Sequence, residues 1–252
     1  MAGADDLVAL RLAGSMLALQ ASIGALNDLV DAEADRARKP GKPIPRAVAS
    51  PTEAAALAGA GLALGLLLSL VSNPATAAVA LAGAGLGYLY DLRLSRTAWS
   101  WLPLALALPL VPLHAWLGVT GAAPPSVLGV IPVGILAGAG LAIGNGLADE
   151  QRDVSAGIRT VAVSLGRRRA WLVHGLALAA AVALAILSLR IAGAGDGWLP
   201  PTMLPAIALI GAGAVLLASP GEALRERGWE LEALGVAGLG LVWLGAMAGL
   251  PS

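Results

Sequence analysis

The sequence has 252 residues, of which 58% are hydrophobic and 13% are charged, and its formal net charge is zero. This composition is far too apolar for an ordinary soluble domain and is typical of a chain that lies in a lipid bilayer. The absence of cysteine excludes a disulfide framework and thiol chemistry. Because the net charge is zero, the useful electrostatics lie in how the charges are distributed, and we expect no nucleic-acid partner.

Eight apolar runs have the length needed to cross a bilayer, since about 20 helical residues match a hydrocarbon core roughly 30 Å thick. Lipid offers no solvent for unpaired backbone groups, so runs this rich in Ala, Leu and Gly are predicted to be helices. We therefore expect an all-α, polytopic membrane helix bundle of about eight transmembrane helices, forming a single domain over residues 1–252. The runs are 7–26, 54–72, 75–90, 99–118, 126–148, 171–191, 199–218 and 231–250.

A cluster of charged residues follows the first run, where Asn27 to Arg46 reads N-D-L-V-D-A-E-A-D-R-A-R-K-P-G-K-P-I-P-R. If the helix continues into this segment, Asn27, Asp31 and Asp35 are four residues apart and share one face, with Asp28 off that face. Two carboxylates one turn apart repel each other by roughly 2–3 kcal/mol at an effective dielectric constant near 20. A divalent cation or a close Arg would remove this penalty, although one such cluster alone is more simply a solvated loop.

The distribution of basic residues predicts the orientation of the chain. When the runs alternate across the membrane, the segments 27–53, 91–98, 149–170 and 219–230 lie on one side and hold 14 of the 16 Lys and Arg residues. The positive-inside rule makes that side cytoplasmic, so we expect the charged clusters at the cytoplasmic face of the plasma membrane. Small residues four apart, such as those at 61 and 65, predict closely packed helices.

A second cluster follows the fifth run, where Asn145 to Thr160 reads N-G-L-A-D-E-Q-R-D-V-S-A-G-I-R-T. Asn145, Asp149 and Asp153 are again four residues apart, which is an improbable coincidence for two unrelated solvated loops. Two oxygen-rich stripes facing each other suit Mg²⁺, which takes oxygen ligands and keeps waters or phosphates in its remaining positions. Neither stripe contains His or Cys, which argues against zinc. The basic residues that accompany both stripes suit a diphosphate group.

These motifs resemble those of the UbiA superfamily of intramembrane prenyltransferases. The matching patterns are N-D-x-x-D-x-x-x-D at 27–35, K-P-I-P at 42–45, D-x-x-x-D at 149–153 and G-I-R-T at 157–160. The resemblance extends over nearly the whole chain in the order and spacing of spans and loops. It implies a helical bundle with a central cavity, and Mg²⁺-dependent transfer of a prenyl group from a prenyl diphosphate to an aromatic or lipid acceptor among the membrane lipids.

The resemblance also implies roles for individual residues. Asp31, Asp149 and Asp153 would be catalytic, because they would hold Mg²⁺ and, through it, the diphosphate. In the loop after the third run, family members commonly have a Tyr followed by Lys-Arg, and Ser95 stands here where that Lys would be. The expected metal ligands are Asn27, Asp28, Asp31, Asp35, Asn145, Asp149 and Asp153, and the expected substrate-binding residues are Lys42, Tyr90, Arg93, Arg96 and Arg159.

One departure concerns the first span. The family usually has nine spans, with one more helix ahead of the first Asp motif, whereas about twenty-six residues precede Asn27 here. We expect either that the chain starts late or that this branch lacks the span.

The alternative function is a cation-coupled membrane transporter whose paired carboxylates bind a cation during translocation. Both acid clusters are predicted at one membrane face and not at the midplane, and long basic loops follow them. This placement favours the enzyme.

Overall fold

The structure is a computed structural model. It describes residues 5–38, 40–125, 127–193 and 201–249, and the secondary structure in these ranges is helical, with no β-strand. A π-helical turn, Tyr90–Leu94, follows α3, and short 3₁₀ turns precede α6 and α10. The α-helices are α1 (Asp6–Arg38), α2 (Pro51–Ser72), α3 (Pro74–Leu89), α4 (Leu102–Ala107), α5 (Leu110–Thr120), α6 (Val130–Ala148), α7 (Glu150–Ser155), α8 (Val161–Leu165), α9 (Arg167–Ile191), α10 (Leu204–Leu217) and α11 (Glu222–Ala248).

The predicted all-α membrane architecture is confirmed. In the described ranges, seven helical segments are long and apolar enough to cross a membrane, and they correspond to seven of the eight predicted runs. The predicted run 199–218 corresponds to a shorter apolar helix, Pro201–Leu217, and residues 199 and 200 lie outside the described ranges.

Two helices extend furthest beyond their predicted apolar runs. α1 continues through the acidic cluster to Arg38, and α11 begins at Glu222 instead of residue 231. Hydropathy marks only the part of a helix that suits lipid, whereas the helix itself continues until a residue interrupts it. Pro40 follows the end of α1, and Pro220 precedes α11.

The described chain forms two compact units. The first consists of the residues up to 95 together with 113–122, and the second consists of 96–112 together with those from 123 onward.

In the first unit, small residues bring α1 and α2 into close contact, as their spacing predicts. A Cβ atom added at Gly61 would stand 2.7 Å from the carbonyl oxygen of Ala18, which is too close for any side chain. The close approach lets Ser22 Oγ donate a hydrogen bond of 2.6 Å to the carbonyl oxygen of Ala58. Packing through small residues and interhelical hydrogen bonds stabilises helix pairs in lipid.

This contact predicts that Gly61→Ala destabilises the protein, because the added methyl group forces α1 and α2 apart. We expect a loss of about 1–3 kcal/mol, measured as a lower unfolding temperature in detergent. The matched control is Gly59→Ala on the same helix, where an added Cβ meets no atom within 4 Å. A Gly61→Ala protein as stable as the Gly59→Ala protein would contradict this close approach.

In the second unit, α6 is the most enclosed helix, and buried polar residues of α9 and α11 lie against it. His174 Nε2 on α9 lies 2.9 Å from each carboxylate oxygen of Glu232 on α11, and both side chains are fully buried. Gly144 of α6 lies against this pair, since an added Cβ would stand 3.1 Å from Glu232 Oε2. The contact fixes α6 one residue before Asn145, where the second motif begins.

Candidate active site

The first motif lies on one unbroken helix. Because α1 continues to Arg38, Asn27, Asp31 and Asp35 occupy successive turns, as predicted. Asp35 is buried, and Asn27, Asp28 and Asp31 are partly buried. The helix thus carries a stripe of oxygen atoms that water reaches only in part.

Lys42, from the K-P-I-P loop, holds part of this stripe together. Its Nζ atom lies 2.9 Å from Asp28 Oδ1 and 2.8 Å from Asp35 Oδ2. It also donates a hydrogen bond of 3.1 Å to Asn27 Oδ1. Asp28 is predicted to lie off the face of the other three residues, but it is seven residues, or two helical turns, from Asp35, so both reach the same ammonium group. Lys42 is therefore a cation that offsets the repulsion between Asp28 and Asp35.

The charge of Lys42 is maintained by these contacts. Burial lowers the pKa of Lys42, but hydrogen bonds to Asp35 and Asp28 and their negative charges outweigh that effect and raise the pKa above its usual value. The side chain of Ile44 is 8% exposed and anchors the same loop. Lys42 is therefore a protonated, positioned cation beside the first motif at neutral pH.

Asp91 completes this cluster and is absent from the residues that the sequence pattern predicts. Asn27 Nδ2 donates a hydrogen bond of 3.0 Å to Asp91 Oδ1 and one of 3.4 Å to Asp31 Oδ2. Asp91 belongs to the π-helical turn and is 6% exposed. The signal that could have found it is its position as the only acid in the segment 91–98, directly after an apolar run.

The other predicted residues of the loop after α3, and Arg159 after the second motif, lie nearer to solvent. Tyr90 is partly buried, whereas Arg93, Arg96 and Arg159 are exposed. Exposed guanidinium groups are well suited to binding an anion.

The second motif runs through a short break in the helix. Asn145 lies in the last turn of α6, Asp149 separates α6 from α7, and Asp153 lies in α7. The backbone N–H of Asp149 donates to the carbonyl oxygen of Asn145 at 3.1 Å, and that of Asp153 donates to Asp149 at 3.0 Å. Because these helical hydrogen bonds continue across the break, the three residues keep the helical register that their four-residue spacing predicts.

Arg152 holds the second motif in the way that Lys42 holds the first. Its Nη2 atom lies 2.5 Å from Asp149 Oδ1 and 2.6 Å from Glu226 Oε1, and its Nε atom lies 2.8 Å from Glu222 Oε1. Burial lowers the pKa of Arg152, but the charge of Asp149 and the contacts with Glu226 and Glu222 raise it overall. The early start of α11 places both glutamates within reach.

The G-I-R-T segment supports Asp153. Thr160 Oγ1 donates a hydrogen bond of 3.2 Å to Asp153 Oδ2, and the backbone N–H of Ile158 donates to the Asp153 carbonyl oxygen at 2.9 Å. Gly157 allows this return because its φ of +68° lies in the left-handed region. Asp153 and the G-I-R-T segment therefore orient each other.

The donor atoms of both motifs fit a hard divalent cation. They are carboxylate and amide oxygens, which suit Mg²⁺, and neither stripe contains His or Cys. Asp91 Oδ2 is buried and has no hydrogen-bond partner, so one oxygen of the first cluster is left for a cation. Within the described ranges, no three His, Cys, Asp or Glu side chains are grouped closely enough to hold a metal by themselves. Waters or a phosphate-bearing substrate would supply the other ligands.

Comparison with known proteins places this arrangement in a family. The sequence profile of the UbiA prenyltransferase family matches residues 2–229. A solved UbiA homologue from Aeropyrum pernix K1 has a TM-score of 0.75 at 20% identity, over 95% of this chain and 90% of that chain. A UbiA homologue from Archaeoglobus fulgidus, bound to GPP and Mg²⁺, has a TM-score of 0.70 at 21% identity, over 97% and 90% of the two chains.

A solved digeranylgeranylglyceryl phosphate synthase has a TM-score of 0.71 at 22% identity, over 97% of this chain and 88% of that chain. No curated protein is similar enough to be matched. At these identities the solved structures establish the fold, while the family profile covers most of the sequence, including both acid motifs. The chain is therefore an integral membrane protein that belongs to the UbiA prenyltransferase family, and its enzyme class is that of the prenyltransferases.

Proposed function

We propose that this protein transfers a prenyl group from a prenyl diphosphate to an aromatic or lipid acceptor within the membrane, in a reaction that requires Mg²⁺. The observation that carries the proposal is the pair of Asn/Asp stripes at helix ends, each in contact with a basic side chain. The Archaeoglobus fulgidus homologue was solved with GPP and Mg²⁺ and with DMAPP and Mg²⁺, which supports a prenyl diphosphate as the donor.

In this proposal, each motif supplies residues that hold Mg²⁺. Asp31, Asp149 and Asp153 supply carboxylates, Asn27 and Asn145 supply amide oxygens, and Asp28 and Asp35 complete the acidic surroundings of the first motif. When bound, Mg²⁺ neutralises the charge that develops on the departing diphosphate. Because a carboxylate already held by Lys42 or Arg152 needs little rearrangement, the acids are oriented before the substrate arrives.

The basic residues stabilise the leaving group. Lys42 stays protonated and lies beside the first stripe, so it would donate to a diphosphate oxygen. Tyr90, Arg93, Arg96 and Arg159 would bind the same group from the loops. As the donor C–O bond breaks, the electron pair leaves with the diphosphate and an allylic cation forms. The acceptor attacks this cation and loses a proton, while the apolar helices exclude water that would otherwise react with it.

The membrane and its side belong to the same proposal. The loops that carry both motifs hold most of the Lys and Arg residues, so we place these loops on the cytoplasmic side of the plasma membrane. The chain acts as one prenyltransferase domain.

The test is turnover of labelled prenyl diphosphates by the protein in lipid nanodiscs, with a panel of aromatic acids and lipid alcohols as acceptors. We expect release of diphosphate together with a prenylated product, and loss of both when EDTA removes divalent cations. A mixture without acceptor controls for hydrolysis of the donor. Absence of turnover with every donor, combined with cation flux across protein-containing vesicles, would instead support the transporter.

A further inference from the structure

Asp91 is directed inward by an irregular stretch of backbone. After α3 ends at Leu89, the N–H of Ser95 donates to the carbonyl oxygen of Tyr90 at 2.8 Å, which closes a wide π-helical turn. Such a turn shifts the register of the side chains relative to an α-helix, and it recurs at functional sites. Asp91 is consequently 6% exposed, whereas the neighbouring Leu92 is 55% exposed. The turn thus buries a carboxylate and exposes a leucine.

The buried carboxylate is not in direct contact with a cation among the described residues. Among the described residues, Asp91 forms no ion pair, and its Oδ1 atom accepts a hydrogen bond from the neutral amide of Asn27. Its Oδ2 atom is buried and has no hydrogen-bond partner. Buried charges in proteins are normally paired or coordinate a metal, because removing a charge from water without compensation is costly. This oxygen therefore indicates a missing ligand.

Asn27 divides the surrounding acids into two pairs. Its amide oxygen accepts from Lys42, whose Nζ atom also contacts Asp28 and Asp35. Its amide nitrogen is instead a donor, to Asp91 Oδ1 and to Asp31 Oδ2. Because both acceptors share one nitrogen, the two carboxylates lie within about two hydrogen-bond lengths of each other. Lys42 contacts both acids of the first pair, and Asp91 Oδ2 is an oxygen of the second pair that has no hydrogen-bond partner.

We propose that Asp91 is a ligand of the Mg²⁺ ion held by the first motif, together with Asp31, while Lys42 keeps Asp28 and Asp35 in place. This inference rests on the proposed function, which assigns Mg²⁺ to that motif. Two carboxylates provide only part of an octahedron, so waters and diphosphate oxygens would occupy the other positions.

The test is Asp91→Asn in the full-length protein in detergent, with Mn²⁺ as the probe and electron paramagnetic resonance as the readout, with and without inorganic diphosphate. The new amide has the size of the carboxylate and keeps an oxygen that accepts from Asn27, so a purely positioning role would survive. We expect the Mn²⁺ affinity of Asp91→Asn to fall ~10-fold or more, and we expect a similar loss in Asp31→Asn. Glu33→Gln controls for charge, because Glu33 is an exposed acid on the same helix, and its affinity should stay within about twofold of the native value.

A second readout shows that the variant is folded. Asp91→Asn removes a buried charge without a cation, so its unfolding temperature without divalent cations should equal or exceed that of the native protein. The rise in that temperature on adding Mg²⁺ should shrink. Native Mn²⁺ affinity in Asp91→Asn overturns the inference, even if activity is lost. If Mn²⁺ binds more weakly to Asp91→Asn but not to Asp31→Asn, Asp91 is supported as a metal ligand. The assignment of Asp31 as a ligand in the proposed function is then wrong.

Discussion

Asparagine in place of Asp31 or of Asp149 should lower the rate of prenyl transfer by at least ~100-fold, the effect of losing one preorganised group that stabilises charge in a transition state. Each substitution keeps the size of the side chain and removes one negative charge from a stripe whose spacing is preserved in the structure. The loss should fall mainly on kcat, because charge on the leaving group develops as its bond breaks. The Asp31→Ala/Asp149→Ala double variant should be inactive.

The measurement is product formation at several Mg²⁺ concentrations, with kcat and KM determined separately. High Mg²⁺ should restore part of the activity of a single variant, because weaker binding is offset by mass action. Glu230→Gln is a matched control, since Glu230 is exposed and pairs only with Arg227 among the described residues. Product formation that the double variant leaves unchanged would refute the mechanism.

Removal of the Lys42 ammonium group should destabilise the protein more than the loss of any other single charge in the same loop. In Lys42→Ala, Asp35, with a side chain 8% exposed, keeps its charge but loses its cation. Breaking a buried ion pair from one side costs about 3 kcal/mol or more, and the partial exposure of Lys42 places this pair at the lower end. We expect an unfolding temperature lower by several degrees and loss of prenyl transfer.

A second substitution that restores stability would identify the cause of the loss in Lys42→Ala. Lys42→Ala combined with Asp35→Asn removes the unpaired charge, so this double variant should regain most of the lost stability but not the activity. Arg36→Ala is the control for an exposed basic residue of the same segment and should change stability by no more than about 0.5 kcal/mol. A stable Lys42→Ala protein, or a double variant no more stable than it, would contradict the role of the ammonium group.

The dependence of this effect on pH has a definite sign. The folded protein raises the pKa of Lys42 above its usual value of 10.5. The stabilisation is therefore complete below the pKa of the unfolded chain and is lost only as the pH rises through the folded pKa. Between about pH 7 and pH 9, the difference in stability between native and Lys42→Ala proteins should stay constant.

Both motifs could be predicted because they depend on local geometry. Asn27, Asp31 and Asp35 are aligned by the period of a single helix, and this period is readable wherever a helix continues without interruption. Asn145 and Asp149 keep the same spacing although α6 ends between them, because the backbone hydrogen bonds continue. The spans were equally predictable, since apolar length follows from bilayer thickness.

Asp91 and the start of α11 could not be predicted in this way. A π-helical turn changes the register within a few residues, so a rule based on 3.6 residues per turn does not assign Asp91 to the inner face. The first residues of α11 are charged, and a hydropathy pattern assigns them to a loop. The sequence therefore did not predict that Glu222 and Glu226 contact Arg152, which also contacts Asp149.

By itself, the sequence determined the membrane class, the helical architecture and the two acid stripes, because these depend on composition and on spacings of a few residues. Only the tertiary structure decided which cation meets which acid. Lys42 reaches Asn27 from 15 residues away, and Asp91 reaches it from 64 residues away. Such pairings depend on where packing places distant segments, and a charge in the sequence carries no information about which distant partner neutralises it.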